Sequence, residues 1–164
     1  MSDEKSTAPV RGADAQAPAG FDNPQTAITI AVDTAYVLST GGENISSGVY
    51  MFDNRLSIGS SGEGTMSLCT CCHAGDFIGF KAVPIDRNAG DTVSISGVQT
   101  FQGGVFGSSF GPIQVSAGGD YWVGEAAYAS PRANYMIQLK ITSGGPQPST
   151  CFIQLGASIG NLQA

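Results

Sequence analysis

No segment of this chain sustains a helical apolar stripe for more than about two turns. Short runs rich in Val, Ile, Thr, Phe and Tyr recur instead between clusters of Gly, Ser, Asn and Asp. That rhythm restricts the fold more than any other feature, because each run is long enough for a strand and too short for a buried helix. In TAITIAVDTAYVL (26–38), Ile28, Ile30 and Val32 alternate onto one face, and the run reads as a strand. DFIGFKAVPID, DTVSISGVQTF, ANYMIQLKITS and STCFIQLGASIG show the same alternation further along. Between them lie TGGEN, GSSGEG, HAGD, RNAGD, AGGD and SGGPQP, whose residues tolerate the dihedrals of tight turns. About seven to nine such strands around one core predict an all-β, single-domain antiparallel β-sandwich, jelly-roll or immunoglobulin-like. A closed β-barrel is the alternative, since periodicity does not separate the two.

Length and composition narrow the function classes. A chain of 164 residues can bury a core without staples. Charged residues make up 12% of it and the net charge is −6, with seven basic residues, no two of them adjacent. Phosphate binding needs clustered Lys and Arg, so no nucleic-acid partner is expected. No apolar run reaches the roughly 20 residues of a membrane span, and the N-terminus lacks the pattern of a signal peptide. Residues 1–25, polar and rich in Ala and Pro, read as a flexible leader to a domain over 26–164. The compartment expected is the cytoplasm, with leaderless export left open. Cysteines there should be thiols, and the acceptor triplet Asn44-Ile45-Ser46 reads as a plain loop.

One tract concentrates reactive side chains. MSLCTCCHAGD holds Cys69, Cys71, Cys72 and the only histidine, His73. In an extended strand Leu68, Thr70 and Cys72 point one way, and Cys69, Cys71 and His73 the other. A candidate metal site therefore consists of Cys69, Cys71 and His73, completed by Cys151 from another strand. The plainer reading has Cys72 packing inward as a small hydrophobe while His73 opens the turn to Gly75 and Asp76.

The remaining chemistry is thin. Any imidazole-based triad must use His73, and no serine lies in a Gly-x-Ser-x-Gly elbow. GSSGEGT (59–65) has no Lys to hold phosphate, and single scattered carboxylates do not make a calcium loop. Most carboxylates sit beside Gly or Asn in turns. Asp33 is the exception and, with Tyr36, is expected to anchor the first strand. Aromatic residues offer a further surface: Phe101, Phe106 and Phe110 in a Gly-rich loop at 100–112, and Tyr121, Trp122, Tyr128 and Tyr135 in the late hairpin. They either plug the open end of the fold or form a contact patch.

Several segments together resemble the AidA and PixA inclusion-body proteins of bacteria. AVDTAYVL (31–38) is similar to that family's opening strand. A strand of small and apolar residues then ends in Gly75-Asp76, before FIGFKAVPIDRNAGDTVSISGVQTF, and DYWVGEAAYASPRANYMIQLKI (120–141) matches a late aromatic hairpin. Phe80 stands where the family often has Trp, and CFIQLGAS replaces its aromatic final strand. The resemblance implies a single β-sandwich in the cytoplasm or in protein inclusions, under quorum or stationary-phase control and linked to behaviour toward hosts, with no established catalytic machinery.

The expected function is accordingly non-enzymatic, without a cofactor. Few Lys and Glu guard the strands, so a homo-oligomer or packed inclusion is the first expectation. The alternative is a module that binds a glycan or a host protein through the loop at 100–112, using Phe101, Phe106, Phe110, Tyr121 and Trp122.

Overall fold

The structure, a computed structural model, describes residues 22–100, 105–106, 112–127 and 132–162. Its elements are β1 (Thr26–Val32), α1 (Thr34–Thr40), β2 (Val49–Asp53), a 3-10 turn (Leu56–Ile58), β3 (Cys69–His73), β4 (Phe77–Pro84), β5 (Thr92–Thr100), β6 (Ile113–Gln114), β7 (Tyr121–Glu125), β8 (Ala133–Thr142) and β9 (Thr150–Leu162). They form a five-stranded sheet in the order β2-β1-β4-β7-β6 and a four-stranded sheet in the order β3-β9-β8-β5. The all-β class is as expected. The pairing is not uniformly antiparallel, because β1 runs parallel to β4 and β3 parallel to β9.

Alternation places the core. Ile28, Ile30 and Val32 of β1, Ile78 and Phe80 of β4, Ile137, Leu139 and Ile141 of β8, and Ile153, Leu155 and Ile159 of β9 are all buried. They join one apolar cluster drawn from both sheets. Each such side chain contributes about 2 kcal/mol on leaving water.

The first strand is shorter than its sequence suggests. Asp33 ends β1, donating its own N–H to Gly48 O (2.8 Å), and its Oδ1 accepts the N–H of Tyr36 at 3.1 Å. It is therefore the N-cap of α1, a helix closed by Gly41 in the left-handed region (φ 72°). Tyr36 is exposed and its ring passes over Gly48, where a Cβ would lie 2.6 Å from Cδ1. The pair thus starts a helix and does not anchor a strand.

The connection from β2 to β3 closes both sheets on one side. Met51 N–H donates to Thr65 O along β2 (3.0 Å), and Gly64 N–H donates to Met51 O (2.7 Å). Ser61 and Cys69 exchange a pair along β3 at 2.9 and 2.8 Å, and Ser60 Oγ accepts from Cys71 N–H at 2.9 Å. On the far side, β5 and β6 are the edges. A turn at 116–119 covers the first half of β5, with Ile95 N–H donating to Gly119 O at 2.8 Å. Ser96 is a bulge between Ile95 and Gly97.

Candidate functional site

The cysteine tract forms β3, and its two faces fall as alternation requires. Leu68, Thr70 and Cys72 are buried, Cys69 and Cys71 half-buried, and His73 exposed. None of the four cysteines is joined in a disulfide. The metal site expected from Cys69, Cys71, His73 and Cys151 is not assembled. In the β3–β9 register Cys69 lies opposite Ser158, and Cys151 sits seven residues earlier on β9, about 23 Å away at the rise of a strand. Among the described residues, no three His, Cys, Asp or Glu side chains converge in a way that could hold a metal ion. Burial and the nearby Asp76 carboxylate push the Cys72 thiol up to about 12, so it is neutral and inert. Burial also raises the Cys71 thiol, with Cys69 and Asp53 adding to the effect.

The residue that organises this region is one that sequence reasoning took for a turn carboxylate. Asp76 follows Gly75 where the chain leaves the four-stranded sheet for the five-stranded one. Its Oδ2 accepts from Arg55 Nη2 (2.8 Å), the backbone N–H of His73 (3.0 Å) and Thr26 Oγ1 (3.1 Å). Arg55 Nε also donates to Thr26 Oγ1 at 2.9 Å. Thr26 opens β1 and His73 closes β3, so one carboxylate ties a strand of each sheet to the connection that caps them. His73 Nδ1 stands 3.9 Å from the same oxygen, beyond hydrogen-bond reach. The arrangement is a clamp, with the imidazole outside it. Only Gly75-Asp76 within the turn hinted at it, because the partners lie 21 and 50 positions away in sequence.

A pair of carboxylates, Asp53 and Glu63, lies in the same β2–β3 connection. Glu63 Oε2 accepts the N–H of Asp53 at 3.0 Å. Burial pushes the Glu63 carboxyl above its ordinary range, and the adjoining Asp53 carboxyl adds to this against the opposing backbone hydrogen bond.

The aromatic residues divide. Phe106 is a core residue, bridged to Ala126, with its ring 6.3 Å from that of Phe80. It plugs the fold, so it is withdrawn as a contact residue. Phe101, Phe110 and Tyr128 lie outside the described residues. Trp122 packs against the core from β7, and Tyr135 is fully buried with its ring 5.7 Å from Phe80. Tyr121 covers Gly79 on the outer face of the five-stranded sheet, where a Cβ would meet its hydroxyl at 3.0 Å and Pro24 at 2.7 Å. Lys81 Nζ lies 6.0 Å from the Tyr121 ring and 2.9 Å from Asp120 Oδ2.

Two further surfaces lie at the strands on the other side of the fold. A cleft of about 500 Å³ at the β4–β5 junction is lined by Lys81, Arg87, Asp91 and Asp120 with Val83 and Val93. Its charges balance. Thr34 and Gly144 hold the Asp91 carboxyl below its usual range, and Ser116 and then Lys81 do so for Asp120, so both stay ionised. The other surface is the side on which β5 and β6 are the edge strands. Neither β5 (TVSISGVQT) nor β6 (IQ) carries a charged residue, and Ile113 and Val115 there are 43% and 42% exposed.

This architecture of two mixed sheets around one core is shared with an inclusion body protein, PixA, from Burkholderia cenocepacia J2315. Its crystal structure superposes with a TM-score of 0.67 at 18% identity, over 84% of this chain and 94% of that one. At that identity the likeness is one of fold. No curated protein matches the sequence. The chain belongs to the family described as a domain of unknown function (DUF8788), which matches residues 24–147. Among the described residues, no helix is long and apolar enough to cross a membrane.

Proposed function

We propose that this is a non-enzymatic, AidA/PixA-like protein that acts by self-association, adding copies through the side formed by β5 and β6 and packing into cytoplasmic inclusions. In this reading the two sheets form a β-sandwich over 26–164 preceded by a leader, of which Pro24 and Gln25 lie on the five-stranded sheet, Gln25 Oε1 accepting the N–H of Phe77 at 2.8 Å. The observation that carries the reading is the chemistry of the β5 and β6 side. The opposite side is closed by hydrogen bonds from 60–65, whereas β6 and the second half of β5 present uncharged edge strands with exposed Ile113 and Val115. Soluble monomers usually guard such edges with Lys or Pro, and among the described residues the devices here are Pro112 at the start of β6, the bulge at Ser96 and the brevity of β6. An uncharged edge of this kind is a template on which the backbone of another copy can pair. The fold shared with an inclusion body protein agrees with this.

Light scattering over a concentration series provides the test. The mass should rise with concentration, and Ile113→Lys with Val115→Lys should hold the chain at monomer mass without lowering its melting temperature. A strict monomer at high concentration would sink the proposal.

A further inference from the structure

The outer face of the four-stranded sheet carries three shallow depressions of about 350, 260 and 360 Å³. They are continuous. The first and third share Gln138 and Gln154, and the first and second share Met136. Asn134, Met136 and Gln138 follow one another along the outward side of β8, a run of about 13 Å. Gln99 and Gln154 flank them from β5 and β9. The floor therefore offers four carboxamides around one thioether, with Gln138 Oε1 already accepting from Ser96 Oγ at 3.0 Å, and no charge between Asn134 and Gln138.

Two glycines sharpen the picture. Gly97 lies opposite Gln138 on one side of β8, and Gly156 opposite Met136 on the other. Neither has a left-handed φ, and a Cβ at either would meet nothing within 4 Å. Gly97 adjoins the bulge at Ser96, which accounts for it, whereas Gly156 sits in regular pairing with Met136. At Gly156 the remaining reason for glycine in a strand is close approach by something from outside.

We infer that this trough binds a neutral oligosaccharide. Carboxamides match the paired donor and acceptor pattern of adjacent ring hydroxyls, and the bare backbone at Gly97 and Gly156 lets a ring sit close to the sheet. Met136 and the exposed ring of Phe152 at the end of the trough supply apolar surface for the C–H faces of the sugar. An anionic polymer fits poorly, because the chain carries a net charge of −6 and the one cation among the lining residues, Arg132, stands at the far end beyond Asn134. The trough shares Gly97 and Gln99 with the second half of β5 and no residue with β6.

The experiment is calorimetric titration of the full chain with maltohexaose, cellohexaose and laminarihexaose. At least one should bind, and Gly156→Val and Gln154→Ala should each weaken it by about tenfold or more. Gly156→Val places a β-branched side chain in open space on a strand, so its melting temperature should equal or exceed that of the wild type. Ile113→Lys should leave sugar binding unchanged, which separates failure of this inference from failure of the self-association reading. Three results would each overturn it: silence with all three sugars, binding indifferent to both substitutions, or a Gly156→Val variant that loses oligomer mass, which would assign the trough to a second copy of the chain.

Discussion

Replacing Asp76 with Ala removes one side chain and disconnects three elements. Its Oδ2 is the shared acceptor for Arg55, Thr26 and the His73 N–H, and the ion pair is largely enclosed, with side-chain exposures of 19% for Arg55 and 11% for Asp76. Breaking a buried pair by deleting one partner costs about 3–5 kcal/mol, since the other charge stays behind without compensation. The residual exposure of Arg55 lets water reach the guanidinium, which points to the lower end, about 3 kcal/mol. The orphaned His73 N–H adds to the cost, although not independently. At roughly 2–4 °C per kcal/mol for a chain of this size, the melting temperature should fall by about 10 °C. Urea unfolding followed through the fluorescence of the single tryptophan, Trp122, measures the change, because that ring packs on the core. The midpoint should drop with the slope unchanged. Asp76→Asn, which retains an acceptor, should lose less. A shift of Asp76→Ala below about 1 kcal/mol in a single transition would refute the clamp.

Glu63→Gln should change the pH profile in the opposite sense from most carboxylate variants. The folded Glu63 carboxyl is raised above its ordinary 4.5, so its contribution to stability is complete below that pH and is lost as pH rises through the folded value. The difference between wild type and Glu63→Gln should therefore grow in favour of the variant above pH 4.5. The lowered carboxyls of Asp91 and Asp120 lose stability as pH falls and cancel in that comparison. Chemical denaturation at a series of pH values measures the difference, and a flat one contradicts the assignment. Asp33→Ala should cost about 1 kcal/mol as the loss of an N-cap, and Asp33→Ser much less. Equal losses would show that Asp33 is more than a cap.

The inward face of the fold was legible because burial imposes a period of two. Ile28, Ile30 and Val32, and Ile137, Leu139 and Ile141, are buried as their alternation requires, and the two faces of Cys69–His73 divide in the same way. The helix Thr34–Thr40 was hidden because Tyr36, Val37 and Leu38 continue the strand-like composition of β1. Its signals were nevertheless present in Asp33, a good N-cap, and in Gly41 at the other end. Parallel pairing of β1 with β4 and β3 with β9 leaves no periodic trace, because it is decided by which strands the connections bring together. The clamp escaped notice for a related reason. An Asp beside a Gly explains itself locally, and nothing within the turn shows that Arg55 and Thr26 reach it. The proposed metal site failed on distance, since the strand that carries Cys151 also sets it far from Cys69.

The claim that copies add through the β5 and β6 side is tested most directly by hydrogen exchange of individual amides at low and high protein concentration. The account predicts added protection at high concentration in β6 and at Gly97–Thr100 of β5, absent in the Ile113→Lys, Val115→Lys variant, with β2 and β3 unchanged because 60–65 already covers them. Exchange in β5 and β6 that does not depend on concentration, or protection gained at β2 and β3 instead, would contradict it.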